Sequence, residues 1–155
     1  MIRRSRQTGM TLVELIVAFT ILLILTTMAL PLARMKVRRE KERELRYALR
    51  EIRSAIDRYK DAADRNMLGP QKIESEGYPP DLQTMVDGVK KAGTVDAKIR
   101  FLRRIPRDPL IGKAEWGQRS VQDDTTAQSW GGQNVFDVYS KSMDTALDGT
   151  KYSEW

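Results

Sequence analysis

Met10-Thr11-Leu12-Val13-Glu14-Leu15-Ile16-Val17 opens an apolar run that continues to Ala33, with Glu14 as its only ionisable side chain. As a helix rising about 1.5 Å per residue, the run reaches about 36 Å. That exceeds the hydrocarbon core of a bilayer, about 30 Å thick. Ahead of it, Met1 to Gly9 carries Arg3, Arg4 and Arg6 and no acid, as the charged start of an export signal does. A secretory signal would place its small-residue cleavage site after an apolar stretch of only about 7 to 15 residues. Here the best small-residue junction, Gly9, precedes the stretch.

An acid inside a membrane helix costs about 2.5 to 3.5 kcal/mol on insertion scales unless it is compensated. Cleavage after Gly9 would create an α-amino group on Met10, one helical turn from Glu14 and on the same face. Within one chain the helix fixes that pair at an imperfect distance. The amine of a neighbouring helix could instead approach Glu14 directly and set the axial stagger between subunits. The alternative is a carboxylate near the bilayer surface that snorkels to water and gains from the positive helix start. Both readings stay open at this point.

The Arg-rich leader, Gly9 and the following Met10-Thr11-Leu12-Val13-Glu14 resemble the class III signal of type IV pilins and type II secretion pseudopilins. The resemblance implies a peptidase that cuts after Gly9 and methylates the Met10 amine. It also puts Glu14 at the fifth mature position and Pro31 at the family's helix-breaking proline. Met10 departs from the more usual Phe.

Beyond Ala33, Leu45, Leu49, Ile52, Ile56, Tyr59 and Ala63 recur at steps of three and four, with Ala48, Ala55 and Ala62 beside them. This is an amphipathic helix. Glu42 with Arg46, and Arg53 with Asp57, stand four apart as candidate ion pairs. Gly69-Pro70 ends the pattern. Joined to the apolar run, the helix extends over 10–66, about 85 Å. Pro31 removes the amide that would bond the Thr27 carbonyl, and Thr26 and Thr27 offer hydroxyls nearby, so a kink or the membrane exit falls there.

Leu82, Met85, Val86 and Val89 take helical spacing after Asp81, and Val95, Ile99 and Leu102 repeat it briefly. Leu102-Arg103-Arg104-Ile105-Pro106-Arg107-Asp108-Pro109 resembles the segment before the sheet of the G-type major pseudopilin of type II secretion. Val135 to Ser140 alternates as a strand, with Phe136 and Val138 on one face, and its partner is expected around Ala114 to Arg119. Val121 to Asn134 reads as a polar loop with solvated Asp123 and Asp124, pinned by Trp130.

Asp144 and Asp148, followed by Gly149, are the candidate metal ligands. Calcium takes six to eight oxygen donors, and this stretch is no EF-hand, because Ala146 and Trp155 fill ligand positions. The resemblance implies calcium in a loop near this end. Lys151 stands about where the second acidic ligand would be, so a metal-free turn with Lys151 paired to Asp144 or Asp148 is the equal alternative, with Leu147 and Tyr152 closing the head in either case.

With no histidine and no cysteine, the chain has neither the commonest general base nor thiol chemistry, and no enzyme is expected. The net charge of +6 falls to +3 without the three leader arginines. Arg34, Lys36, Arg38, Arg39 and Lys41 crowd the far end of the apolar run, a face for solvent, anionic headgroups or acidic neighbours. Nucleic acid ranks last, because no aromatics interleave these cations.

The expected architecture is α+β: leader 1–9, transmembrane and filament-core helix 10–33, amphipathic continuation 34–66, and a head over 67–155 with short helices and a small antiparallel sheet. The resemblance implies a major pseudopilin: a single-pass inner-membrane protein with a cytoplasmic N-terminus and a periplasmic head. Such subunits polymerise into a helical homo-oligomer that drives export of folded proteins. The partners it implies are minor pseudopilins, an inner-membrane assembly platform with its ATPase, and the prepilin peptidase and methyltransferase. Alternatives are a type IV pilus subunit for adhesion, motility or DNA uptake, and a soluble basic binding module released by cleavage after Ala29.

Overall fold

The computed structural model describes residues 9–94 and 96–155, the side chains of 28–30 excepted. Arg3, Arg4, Arg6 and Val95 lie outside the described residues, as do the side chains of Met28 and Ala29. The chain divides into two units, Met1–Arg39 and Glu40–Trp155.

The first helix, α1, spans Leu12–Asp64, two residues short of the expected bounds at each end. Thr11 caps its start: the Thr11 hydroxyl accepts from the Glu14 amide at 3.3 Å, and the Thr11 carbonyl from the Leu15 amide at 3.1 Å. Asn66 ends it in the left-handed conformation, at φ 53°. The Asn66 amide returns to the Ala63 carbonyl and the Met67 amide to the Ala62 carbonyl, both at 2.9 Å. These are the paired bonds of a Schellman cap, so the helix stops before Gly69-Pro70 is reached.

In the first unit, the apolar residues Leu12 to Leu25 that carry large side chains are exposed. Pro31 lies inside α1. The Thr26 and Thr27 hydroxyls do not turn toward the carbonyl that Pro31 leaves unbonded; they donate back to Leu22 at 2.7 Å and Ile24 at 2.8 Å. Each thus finds a partner within its own helix, as hydroxyls in an apolar setting must.

The second unit is α+β. Leu45, Leu49, Ile52, Ile56 and Tyr59 are buried as their spacing requires, with Ala48, Ala55 and Ala62 beside them and Ala63 partly buried. Leu82, Met85, Leu102, Trp116, Val135, Val138 and Tyr152 complete this core. Helix α2 spans Leu82–Asp87, and the Asp81 carboxylate caps it by accepting from the Thr84 amide at 2.6 Å.

Two short antiparallel sheets follow. Strands β1 (Val89–Lys90) and β2 (Lys98–Ile99) pair Val89 with Ile99. Both residues had been expected in helices. Gly88, at φ 85°, ends α2 one residue before Val89, and cross-strand pairing then brings Val89 and Ile99 together, both partly buried against the core. Strand β3 (Trp116–Arg119) pairs with β4 (Asp137–Ser140), within the stretch expected for the partner.

Phe136 is half exposed and falls just before β4, so it does not share the buried face of Val138. Val138, Tyr139 and Ser140 are all buried, and strict alternation fails because both faces of β4 are covered. Val138 joins the core. The Ser140 hydroxyl donates to the buried Asp108 carboxylate at 2.6 Å. Tyr139 lies over Gly117, where an added Cβ would stand 2.2 Å from the ring. Arg119 covers the same ring at 4.1 Å.

Candidate functional site

The helix start and the C-terminal turn hold the candidate residues, and they belong to separate units. Gly9 and Met10 are exposed and precede α1. A Cβ added at Gly9 would meet no described atom within 4 Å. Packing among the described residues therefore does not demand glycine there, unlike at Gly117.

Glu14 is exposed at the third position of α1. Thr11-Leu12-Val13-Glu14 has the spacing of a capping box, in which the cap hydroxyl bonds the amide three residues on. That bond is present. The Thr-x-x-Glu pattern was available in the sequence and marks Thr11 as the helix cap. Behind it, α1 has a mean hydropathy of 2.5 over its most apolar window, none of it buried, so it is long and apolar enough to cross a membrane.

The C-terminal turn is held largely by residues that spacing alone had assigned elsewhere. Glu42 is buried and turns away from Arg46: its Oε1 accepts from the Leu147 amide and the Tyr152 hydroxyl, both at 2.9 Å. Arg46 stacks on the Trp155 ring at 4.2 Å. Arg53 is not paired to Asp57. It reaches Asp137 at 2.7 Å and the Val138 carbonyl at 3.0 Å. Tertiary partners win these charges because a buried or half-buried group needs its hydrogen bonds satisfied, whereas an exposed pair four apart is worth only about 0.3–0.5 kcal/mol.

Asp144 and Asp148 are exposed. The Asp148 carboxylate accepts from the Thr150 hydroxyl at 2.6 Å and the Thr150 amide at 3.0 Å, which hold it below the usual carboxylate range, with a smaller contribution from Arg46. Backbone carbonyls of the turn are engaged as well: Thr150 accepts from the Ala146 amide at 2.7 Å, Ala146 from Gly149 at 3.1 Å and Asp144 from Tyr152 at 3.4 Å. Among the described residues, no three Asp, Glu, His or Cys side chains group so as to hold a metal. Asp144 and Asp148 are thus the acidic side chains of this turn, and any further oxygens for a cation would have to come from its carbonyls and hydroxyls. The alternative pairing is also absent: among the described residues no ion pair joins Lys151 to Asp144 or Asp148, and Lys151 instead bridges to Thr145 through the backbone. Tyr152 is buried in the core, whereas Leu147 is 42% exposed and contributes its amide.

In the polar loop, Asp123 is more than a solvated acid. Its Oδ2 accepts from the Ser120 amide at 2.7 Å and the Gly131 amide at 3.0 Å, which lower its pKa in that order of importance. Arg119 and Tyr139 fasten the same loop at the Ala127 and Gln128 carbonyls, and Trp130 bonds the Asn134 carbonyl at 2.7 Å. A carboxyl depressed in the folded state stabilises at pH above its unfolded value, here about 3.8, and loses that contribution as pH falls through the folded value. Asp123→Asn keeps an acceptor oxygen and removes the titration. The variant is expected to show a shallower loss of melting temperature below about pH 4 than the parent chain, read by circular dichroism.

Residues 4–30 match the family model for the prokaryotic N-terminal methylation motif. Comparison with curated proteins and with solved structures returns no match. The match covers the leader from Arg4, the Gly9 junction, Glu14 and most of the apolar run. The motif, followed by a helix able to span a membrane, supports a type IV pilin-like subunit that prepilin peptidase processes and that assembles into a membrane-associated filament.

Proposed function

We propose that the chain is the major subunit of a type II secretion pseudopilus, a structural rather than catalytic protein. The carrying observation is the methylation motif at 4–30, with the Gly9 junction five residues ahead of its lone acid, Glu14. The precursor sits in the inner membrane with its N-terminus in the cytoplasm and its head in the periplasm. It loses residues 1–9, is methylated on Met10, and is drawn by an ATP-driven platform into a helical filament with minor pseudopilins at hand. The filament drives folded proteins through an outer-membrane gate.

The head supports this role over that of a long pilus subunit. The segment 102–109 resembles that of G-type pseudopilins, and it is built firmly into the sheet. The Pro106 carbonyl accepts from the Trp116 indole at 2.9 Å, and Asp108 is fully buried beneath Ser140. The small head has no cysteine pair. Sequencing the mature N-terminus and deleting the gene together test the proposal. Expected are N-methylated Met10 and folded cargo retained in the periplasm. Normal secretion with loss of surface pili would assign the chain to a pilus, and a mature chain starting at Leu30 would make it a released soluble module.

A further inference from the structure

The C-terminal turn, Ser142 to Tyr152, brings acidic side chains to a place where a cation would ordinarily be invoked, yet Asp148 Oδ1 and the Asp144, Ala146 and Thr150 carbonyls already accept hydrogen bonds from within the turn. Both Asp148 bonds come from Thr150. Charge balance reaches the turn from α1 instead. Glu42 and Arg46, four residues apart and so on one face of that helix, diverge to meet it. Glu42 is 7% exposed and gathers the Leu147 amide and the Tyr152 hydroxyl on one oxygen. Arg46 lies over Trp155, whose indole donates to the Thr150 hydroxyl at 2.6 Å, and its charge acts on Asp148.

We infer that Glu42 and Arg46 together replace a bound cation: they latch the C-terminal turn onto α1 through a buried anion and a stacked guanidinium, and the turn closes without calcium. The chemistry is complementary. A calcium ion would bring turn oxygens together by coordinating them. Here the carboxylate of Glu42 gathers a turn amide and hydroxyl as donors, while Arg46 supplies the positive charge that faces Asp148. The latch uses residues of Glu40–Trp155 alone, so it stands or falls independently of the filament's role in secretion.

The test uses the full processed chain in detergent, with thermal unfolding and amide hydrogen exchange measured in calcium and in EGTA. The parent chain is expected to melt within about 1 °C in the two buffers, since a ligand that does not bind the folded state adds no stability. The Leu147 amide should be equally protected in both. Glu42→Ala and Arg46→Gln are each expected to speed exchange across 142–155 by about tenfold or more, with no rescue by calcium. Tyr152→Phe, which keeps the ring and removes one donor, gives the same readout at lower risk to folding. A calcium-dependent rise in melting temperature of the parent chain overturns the inference. So does unchanged exchange in both Arg46→Gln and Tyr152→Phe.

Discussion

Glu14→Ala is expected to insert into the membrane at least as well as the parent chain and to lower filament yield by about tenfold or more. The two effects have separate causes. Insertion improves because a membrane-embedded acid costs about 2.5–3.5 kcal/mol. Assembly fails because the Met10 amine of an adjoining subunit loses its partner. Opposite charges about 4 Å apart in an effective dielectric near 20 attract by about 4 kcal/mol before desolvation. A third of that amounts to a tenfold change in an association constant. The Glu14 amide that bonds the Thr11 hydroxyl survives any side-chain change, but alanine removes the length of the side chain together with its charge. Glu14→Gln separates the two: glutamine keeps the length of the side chain and has no charge. Filaments sheared from cells and quantified by immunoblot should be as scarce with glutamine as with alanine. Parent-level yield from Glu14→Gln sinks the register role and leaves Glu14 as a helix-start residue.

The largest loss of stability is expected from Gly117→Ala. Gly117 faces Tyr139 across the β3–β4 pair, and an added methyl would lie 2.2–2.6 Å from three ring atoms. The ring cannot easily swing aside, because its hydroxyl donates to the Gln128 carbonyl at 2.9 Å and Arg119 covers it. Overpacking of this kind costs about 1–3 kcal/mol. Three kcal/mol corresponds to a fall of about 10 °C in the melting temperature of a unit this size. Scanning calorimetry of the full chain in detergent measures it. Gly9→Ala is the matched control: it meets no described atom, so it should leave the unfolding transition in place. A Gly117→Ala chain that melts with the parent would show that Tyr139 repacks freely.

The helix was readable because its signal is local and repeated. Apolar residues at steps of three and four over 45–63 leave one face to bury, and the structure buries it. The β3–β4 pair was also readable, whereas β1 and β2 were not. Val89 and Ile99 carry no signature in two-residue strands, and only each other's presence makes them strands. The start of α1 was half legible: Gly9, Met10 and Glu14 were picked out, and the Thr11 cap that accompanies them was passed over.

The charged residues mark where sequence reasoning ran out. Glu42, Arg46 and Arg53 were assigned to partners along the helix, because spacing describes only neighbours in the chain. The folded protein instead offers Glu42 the Tyr152 hydroxyl, 110 residues away, and Arg53 the Asp137 carboxylate, 84 residues away. Sequence by itself determined the apolar run, its lone acid and the buried stripe, since each follows from composition and period along one segment. Tertiary structure alone decided where the buried charges go and how the C-terminal turn is closed, since a desolvated group takes whichever partner folding brings within hydrogen-bond reach, however distant in the chain.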